Sequence, residues 1–230
     1  LAEMVTTPVR DWLADWSTAE TAAQKAIEAW TSDHWSEPTN ARTVTSSMTE
    51  GCNLLVSSSM PIRDVEWFGS VTPHVQVYSN RGTNGIDGVI STGIGIALGS
   101  GVATTILIGD VACLHDTNGL WALMQRNVDV KIVVTNNDGG SIFSFLPQAT
   151  QVEISIFELL YGTPHGVSFE HLAMAHGVPF RRATHAASVR EALSQKGTTL
   201  IEVPFDRSVN VSQHDAVNAA VVSAVELATA

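Results

Sequence analysis

Short apolar runs alternate with amphipathic stretches along this chain, and the alternation predicts strands separated by helices. Two of the runs, ATTILIGD at 103–110 and DVKIVVTNN at 129–137, are rich in β-branched residues. Continuous runs of this kind are typical of strands that are buried on both faces of a parallel sheet. Shorter runs bounded by turn residues predict further strands at 53–59, 74–80 and 198–205.

Helical spacing of the apolar residues predicts the elements between these strands. Residues 18–35 place Ala, Ile and Trp three or four positions apart. Pro38 suits the start of a second helix, which Gly51 would end. The segment 85–101 has small residues on every side, so we expect a helix that packs very close to its neighbours. Further helices are predicted at 117–127, with Asp116 or Thr117 as N-cap, and at 151–162, 168–177, 186–195 and 214–229.

This order of elements predicts an α/β protein with three layers, in which helices cover both faces of a mainly parallel central sheet. We expect one domain at residues 37–230, preceded by a linker or helical arm at residues 1–36. The chain begins at Leu1 and enters directly into LAEMVTTPVRDWLADW. This start predicts a piece of a longer polypeptide or a processed end.

Composition narrows the classes of function. The formal net charge is −11 and the twelve basic residues form no run, which argues against a nucleic-acid-binding surface. No apolar stretch reaches the roughly 18 residues that cross a bilayer, and nothing resembles a signal peptide, so we expect a cytoplasmic protein. Cys52 and Cys113 fit no metal-binding spacing, and we expect two reduced thiols.

Polar residues end the two most apolar runs. Asp110 ends the first, and Asn137 ends the second 27 residues later. Because ligands of parallel α/β sheets bind at the carboxyl ends of strands, both side chains point into one crevice if the strands are neighbours. A carboxylate, an amide oxygen and a nearby main-chain carbonyl suit Mg²⁺, which completes its coordination with water and substrate phosphates.

Glycines beside these residues fit the same interpretation. Gly109 would let a diphosphate approach the backbone, and the pair at 139–140 would allow a turn that aims a carbonyl at the metal. The helix predicted to begin near Asp116 would direct free N–H groups at the same anion. Spacing alone leaves the alternative that Asp110 caps the following helix and NNDGG is an ordinary turn.

Several motifs carry a resemblance to a known family. Gly109-Asp110 and Asn136-Asn137, some 25 residues apart, resemble the cofactor motif of the thiamine diphosphate (ThDP)-dependent decarboxylase superfamily, with Val111 where the family usually has Gly. Longer stretches resemble the 2-succinyl-5-enolpyruvyl-6-hydroxy-3-cyclohexene-1-carboxylate synthases of menaquinone biosynthesis. They are SSSMPIRDVEWF (57–68), YSNRGTNGIDGVISTGIGIA (78–97), LHDTNGL (114–120), NNDGGSIFSFLPQA (136–149) and FELLYGTPHGVSFEHLA (157–173). The resemblance extends from about residue 37 to 205.

The resemblance implies the ThDP-binding fold and assigns this chain to the C-terminal, diphosphate-binding domain, without the family's N-terminal pyrimidine-binding and middle domains. It implies that Mg²⁺ is held by Asp110, Asn137 and the main-chain carbonyl of Gly139, next to Gly109. It also places Ile86 beneath the thiazolium ring. Asp138 is either a further acid near the metal or a turn residue.

The reaction implied by the resemblance is decarboxylation of 2-oxoglutarate and 1,4-addition of the succinyl carbanion to isochorismate. Both substrates are dicarboxylates, and arginine binds carboxylates in a bidentate manner. Arg63 and Arg81 are therefore candidate substrate contacts, together with Ser59. Phe143 and Leu146 match apolar residues that line the family's site, where a less polar surround favours dispersal of charge.

From the residues alone, other interpretations stay open. Each arginine could form a surface ion pair, for example Arg63 with Asp64 or Glu66. Ile86 and the apolar residues at 143 and 146 could be ordinary core.

The resemblance also implies a partner. In the superfamily a glutamate that contacts the aminopyrimidine comes from the N-terminal domain of another subunit. We therefore expect a homodimer or homotetramer, and an isolated chain that is inactive. Two alternatives are another ThDP enzyme, such as an acetohydroxyacid synthase or a 2-oxoacid decarboxylase, and a non-catalytic binding domain that retains the fold.

Overall fold

A computed structural model of the chain describes residues 12–70, 73–80 and 85–230. Within these ranges the strands are β1 (Asn53–Val56), β2 (Gln76–Ser79), β3 (Thr104–Gly109), β4 (Val130–Asn136), β5 (Phe180–Arg182) and β6 (Thr199–Pro204). They form one sheet in the order β2-β1-β3-β4-β6-β5, and every pair of neighbours is parallel. The predicted α/β class with a parallel central sheet is therefore confirmed.

Helices connect the strands. They are α1 (Trp12–Asp33), α2 (Glu37–Ser46), α3 (Met60–Phe68), α4 (Val89–Ser100), α5 (Asp110–His115), α6 (Gln148–Gln151), α7 (Ile154–Phe157), α8 (Phe169–Ala175), α9 (Ala186–Ser194) and α10 (Asn210–Thr229). Short 3₁₀ helices span Thr117–Gln125, Ser141–Phe145 and Arg207–Val209, and a π turn spans Glu158–Gly162.

The alternation of side chains along each strand produces two separate cores, one on each face of the sheet. Ile106 and Ile108 pack in a core with apolar residues of α4, of α8 and of the 3₁₀ helix Thr117–Gln125. Leu107, which lies between them, packs on the opposite face with residues of α2 and α9. Because β3 is buried on both faces, its sequence has the continuous apolar pattern rather than an alternating one.

The chain forms two compact units. The larger is Trp35–Val211, which contains the whole sheet, and the smaller comprises the described part of Leu1–His34 together with Ser212–Ala230. The smaller unit is helical and buries Ile27 and Val217. The predicted domain limits of 1–36 and 37–230 stay a prediction.

Several predicted elements differ from the structure. The second helix ends at Ser46, well before Gly51. The helix predicted at 117–127 is a 3₁₀ helix, and its predicted N-cap Asp116 instead accepts hydrogen bonds from the main-chain N–H and the hydroxyl of Ser91, at 2.7 and 3.0 Å. Helix α5 begins earlier, directly at Asp110. The pattern also missed α3 and β5, and the helix predicted at 151–162 is split into α7 and the π turn.

Two sequence expectations concern membrane-spanning segments and thiols. Among the described residues, no helix is both long and apolar enough to cross a membrane. Both cysteines are free, as predicted, and burial raises the pKa of the Cys113 thiol well above its usual range.

The close packing predicted for the glycine-rich helix is found at Gly93. A Cβ atom there would lie 2.2 Å from Cδ1 of Ile106 on β3, so an added methyl group would force that side chain to shift. We expect Gly93→Ala to lower the free energy of unfolding by about 1–3 kcal/mol, as overpacking of a core does. Gly95→Ala is the matched control, because its Cβ would meet nothing within 4 Å. It should raise stability by up to about 1 kcal/mol through helix propensity. Urea unfolding of both variants measures the contrast, and equal effects would contradict it.

Candidate active site

A cavity of about 310 Å³ lies at the carboxyl ends of β1, β2, β3 and β4. Residues 57–59 of its lining follow β1 directly, and Asn137 follows β4 directly. Gly109 ends β3 and Asp110 follows it, while residues 85–86 come six positions and more after the end of β2. The cavity therefore spans the boundary between β1 and β3, where the strand order reverses. Open α/β sheets bind ligands at such a switch point.

Asp110 joins the ends of two neighbouring strands. It is 2% exposed. Its Oδ2 accepts hydrogen bonds from the main-chain N–H groups of Asn137 (3.1 Å) and Gly139 (2.9 Å). Its Oδ1 accepts one from the N–H of Val111 at 2.7 Å. The structure thus brings the two polar strand ends into one crevice, as the sequence predicted for neighbouring strands.

Asn137 is held by an acid that the sequence analysis did not single out. Its Nδ2 donates to Oε1 of Glu37 at 2.8 Å. Glu37 is the first residue of α2, is 2% exposed and lines the same cavity. Ser36 caps this helix by accepting from the N–H of Thr39 at 3.2 Å. Acid after the N-cap is common in exposed helices as well, so the sequence carried no signal that this one is buried.

The two glycines after Asp138 are required by close contact between backbones. A Cβ on Gly139 would lie 1.9 Å from the carbonyl oxygen of Gly162, and one on Gly140 would lie 2.2 Å from that of Tyr161. Gly139 also has a φ of +138°. The N–H of Gly140 donates to the carbonyl of Gly162 at 2.7 Å. The turn is therefore fixed against the π turn, a partner that the sequence did not indicate.

His165 is a second group that the sequence analysis missed. Its Nε2 lies 3.2 Å from Oδ2 of Asp110, and its Nδ1 accepts from the N–H of Val167 at 3.0 Å. An imidazole whose Nδ1 accepts this hydrogen bond has Nε2 as its donor, which here faces Asp110. The TPHGV segment contained the histidine, but only the fold places it beside a residue 55 positions away.

Asp138 is a turn residue. Its φ is +60°. Its Oδ1 accepts from the N–H groups of His165 (2.9 Å) and Gly166 (2.8 Å). The hydrogen bond from Gly166 is the largest of the effects that hold the pKa of Asp138 below its ordinary value.

This lowered pKa gives a prediction about stability against pH. Because the folded-state pKa is depressed, the charge of Asp138 stabilises the fold above the unfolded-state pKa near 3.8, and this contribution disappears as pH falls through the folded-state value. Asp138→Asn keeps a residue that tolerates positive φ and removes the charge. In the absence of Mg²⁺ and cofactor, we expect wild type to be more stable than Asp138→Asn at neutral pH and the difference to shrink on acidification. Urea unfolding across pH measures it; a constant difference would contradict the assignment.

Some of the residues predicted to contact cofactor or substrate line the cavity, and others do not. Ser59, Ile86 and Phe143 line the cavity. Ile86 also packs against the core on one face of the sheet. Leu146 is 43% exposed and lies outside the lining.

Arg63 does not line the cavity. Arg63 donates to the carbonyl of Ser59 at 2.6 Å and makes no ion pair with Asp64, Glu66 or any other described residue. Arg81 lies outside the described residues. The substrate-binding roles of Arg63, Arg81 and Ser59 stay predictions.

The donor atoms at the strand ends fit a divalent cation. Oδ1 of Asn137 is buried and accepts no hydrogen bond from any described residue. An unpaired buried acceptor costs about 1–3 kcal/mol, which a bound cation would offset. Within the described ranges, no cluster of three or more His, Cys, Asp or Glu side chains is arranged for a metal. A site here would rely on the carboxylate, the amide oxygen and a carbonyl, with ligand phosphates completing it.

Comparison with known proteins identifies a matching domain. Residues 68–203 match the family described as thiamine pyrophosphate enzyme, C-terminal TPP binding domain. The chain is 43% identical over 209 residues to the 2-succinyl-5-enolpyruvyl-6-hydroxy-3-cyclohexene-1-carboxylate synthase of Chloroflexus aurantiacus, covering 88% of this chain and 35% of that protein. It is 40% identical over 210 residues to the enzyme of the same name from Myxococcus xanthus, with 88% and 36% covered. The chain thus spans about a third of the length of these curated relatives.

Solved structures share the fold. Benzoylformate decarboxylase from Polynucleobacter necessarius superposes with a TM-score of 0.60 at 19% identity, over 73% of this chain and 32% of that one. A putative thiamin diphosphate-dependent enzyme from Mycobacterium smegmatis gives 0.56 at 18% identity, over 74% and 31%. At these identities the likeness extends to the fold alone.

Proposed function

The chain belongs to the thiamine pyrophosphate enzyme family through its C-terminal TPP binding domain, and on this premise we propose that it forms the diphosphate- and metal-binding half of a 2-succinyl-5-enolpyruvyl-6-hydroxy-3-cyclohexene-1-carboxylate synthase site. Eight relatives with 37–43% identity bear that name. The observation that carries the proposal is the meeting of Asp110 and Asn137 in one cavity, with a buried amide oxygen that accepts no hydrogen bond from the described residues.

In this proposal, three groups hold Mg²⁺: the carboxylate of Asp110, the amide oxygen of Asn137 and the main-chain carbonyl of Gly139. The carbonyl of Gly139 accepts from the N–H of Ser141 at 3.1 Å, and a carbonyl has a second lone pair. Gly109 leaves the backbone open to a diphosphate, since a Cβ there would meet no atom within 4 Å. When bound, thiamine diphosphate supplies the nucleophilic carbon and the electron sink for decarboxylation.

The apolar part of the cavity has a separate role in the proposal. Ile86, which lines the cavity and packs against the core, would support the cofactor, and Phe143 would shield the reacting atoms from water. A site with little water favours the loss of charge that accompanies decarboxylation of a 2-oxoacid. Phe143 itself is braced by Tyr161, whose ring centroid lies 5.5 Å away.

The proposed reaction is decarboxylation of 2-oxoglutarate and 1,4-addition of the succinyl group to isochorismate. Both substrates carry two carboxylates, while the chain has a formal net charge of −11. Recognition therefore requires fixed cations at the site. We propose that Arg63 and Arg81 supply these cations within this chain and that the hydroxyl of Ser59 adds a hydrogen bond to the substrate. Leu146 is proposed to extend the apolar wall.

The proposal includes a partner: a pyrimidine-binding domain, contributed by another subunit of a homodimer or homotetramer, completes the site. We call this chain together with that domain the assembled enzyme. We expect the isolated 230-residue chain to give no turnover of 2-oxoglutarate with isochorismate in the presence of ThDP and Mg²⁺. Turnover should appear when the pyrimidine-binding half is supplied.

Product formation, measured by chromatography, and cofactor binding, measured by calorimetry, distinguish the outcomes. Robust turnover by the isolated chain would contradict the half-site. An assembled enzyme that binds ThDP and Mg²⁺ but forms no adduct from the two substrates would contradict the proposed reaction.

A further inference from the structure

Two adjacent asparagines at the end of β4 are each held by a buried glutamate. Asn136 donates through Nδ2 to Oε1 of Glu202, and Asn137 donates through Nδ2 to Oε1 of Glu37; both distances are 2.8 Å. Glu202 is 4% exposed and Glu37 is 2% exposed. The two pairs therefore share the same donor group, the same distance and a buried carboxylate, although Glu202 also accepts from Nε of Arg182 at 2.8 Å.

The oxygens of the two amides differ. Oδ1 of Asn136 accepts from the N–H of Asp138 at 3.2 Å, so that amide is used on both sides within the fold. Oδ1 of Asn137 is buried and accepts from no described residue. Asn137 lines the cavity with Glu37, whereas Glu202 does not line it. Both ends of the Asn136 amide are therefore hydrogen-bonded within the described residues, whereas the Asn137 amide keeps an oxygen that can bind a cation.

The carboxylate of Glu37 determines which atom of the Asn137 amide, Oδ1 or Nδ2, remains available to a ligand. An ionised carboxylate only accepts hydrogen bonds, so it can pair with the NH₂ end of the amide but not with its oxygen. Rotation of the amide by 180° would bring two oxygens together and strand the NH₂ group. The carboxylate therefore selects one of two amide orientations of nearly identical shape.

Helix α2 holds this carboxylate in place. Eight of its ten residues are buried. One turn after Glu37, Nδ2 of Asn40 donates to the hydroxyl of Thr135 on β4 at 3.2 Å. The helix is thus docked by polar contacts on the same strand end that carries Asn137. Its first residue cannot move away without disturbing that docking.

We infer that Glu37 is a positioning residue for the metal site: it fixes the Asn137 amide so that Oδ1 faces the cation. This inference rests on the proposed function. In it, the carboxylate of Glu37 also adds a negative charge beside the divalent ion. Outer partners of metal ligands typically contribute 10–100-fold to metal affinity.

The first test is Glu37→Gln in the assembled enzyme. Glutamine has the same shape but can donate as well as accept, so both orientations of the Asn137 amide become possible. We expect the Mg²⁺ concentration for half-saturation, titrated at a fixed ThDP concentration and followed by calorimetry and tryptophan fluorescence, to rise by about 10–100-fold.

A reciprocal exchange makes the test specific. In the double variant Glu37→Gln with Asn137→Asp, the introduced amide donates to one oxygen of the introduced carboxylate and leaves the other for the metal. Total charge is unchanged. We expect Mg²⁺ affinity to recover to within about threefold of the unaltered enzyme, because residues in contact are coupled in this way. A residue that merely filled space would give no recovery.

Glu202→Gln is the matched control, because it alters the neighbouring pair and leaves the cavity lining intact. We expect it to lower stability, measured by urea unfolding, without changing Mg²⁺ affinity. An unchanged affinity in Glu37→Gln, no recovery in the exchange variant, or an equal loss of affinity in Glu202→Gln would each overturn the inference. Failure of the unaltered assembled enzyme to bind Mg²⁺ with ThDP would instead overturn the proposed function.

Discussion

Asp110→Ala is expected to abolish Mg²⁺-dependent binding of ThDP. The substitution removes the only carboxylate among the proposed ligands and leaves the N–H groups of Asn137 and Gly139 without their acceptor. Loss of an outer partner alone costs metal sites 10–100-fold in affinity, so we expect a loss of more than about 100-fold here. Two unpaired buried amides should also lower the free energy of unfolding by roughly 2–4 kcal/mol. Calorimetry and urea unfolding of the assembled enzyme measure the two effects.

Two further variants separate charge from folding. Asp110→Asn keeps one acceptor for the amides and removes the charge, so it should retain more stability than alanine but bind Mg²⁺ poorly. Glu170→Ala changes an exposed acid on α8, outside the cavity, and should leave both quantities unchanged. Undiminished cofactor affinity in Asp110→Ala would remove the metal assignment.

Gly139→Ala should have an effect of similar size through geometry rather than charge. The new methyl group would lie 1.9 Å from the carbonyl oxygen of Gly162, and the backbone φ of +138° is unfavourable for any other residue. Backbone strain of this kind costs on the order of 1–3 kcal/mol before the clash is counted. We expect the turn to move away from Gly162, stability to fall by at least about 3 kcal/mol, and Mg²⁺-dependent ThDP binding to be lost.

Gly109→Ala is the informative comparison. A Cβ there meets nothing within 4 Å and the backbone is extended, with φ of −75°. Stability should therefore change by less than about 0.5 kcal/mol. If a diphosphate approaches this backbone, the added methyl group should lower ThDP affinity although stability is unchanged. Normal stability and normal cofactor affinity in Gly139→Ala would contradict the role of the turn.

The sheet was predictable from sequence because its central strands are buried on both faces. The runs ending at Asp110 and Asn137 contain the apolar residues that fill both cores, and this leaves a continuous signal. Strand β5 has three residues, of which two are exposed arginines, so it carried no such signal. Helix α3 follows Ser59, whose φ is +77°. Pro61, in the first turn of α3, suits a helix start, but the prediction instead extended the preceding strand through Ser59.

The site residues that lie at the ends of strands were equally predictable. Gly109, Asp110 and Asn137 lie at strand ends, and parallel strands bring such ends together. Glu37 and His165 could not be found in this way, because each reaches the strand ends from a distant part of the sequence. Their roles depend on which helix or loop packs over β3 and β4, and no local pattern encodes that choice.

The two amide contacts of Asp110 have a consequence for how a ligand enters. Since its carboxylate fixes the turn after β4 through contacts within the protein, residues 137–139 are held without any contact to a ligand. A preorganised receptor loses little conformational entropy on association, so more of the contact energy remains as affinity. Association with the cofactor should therefore proceed without a slow ordering step at residues 137–139.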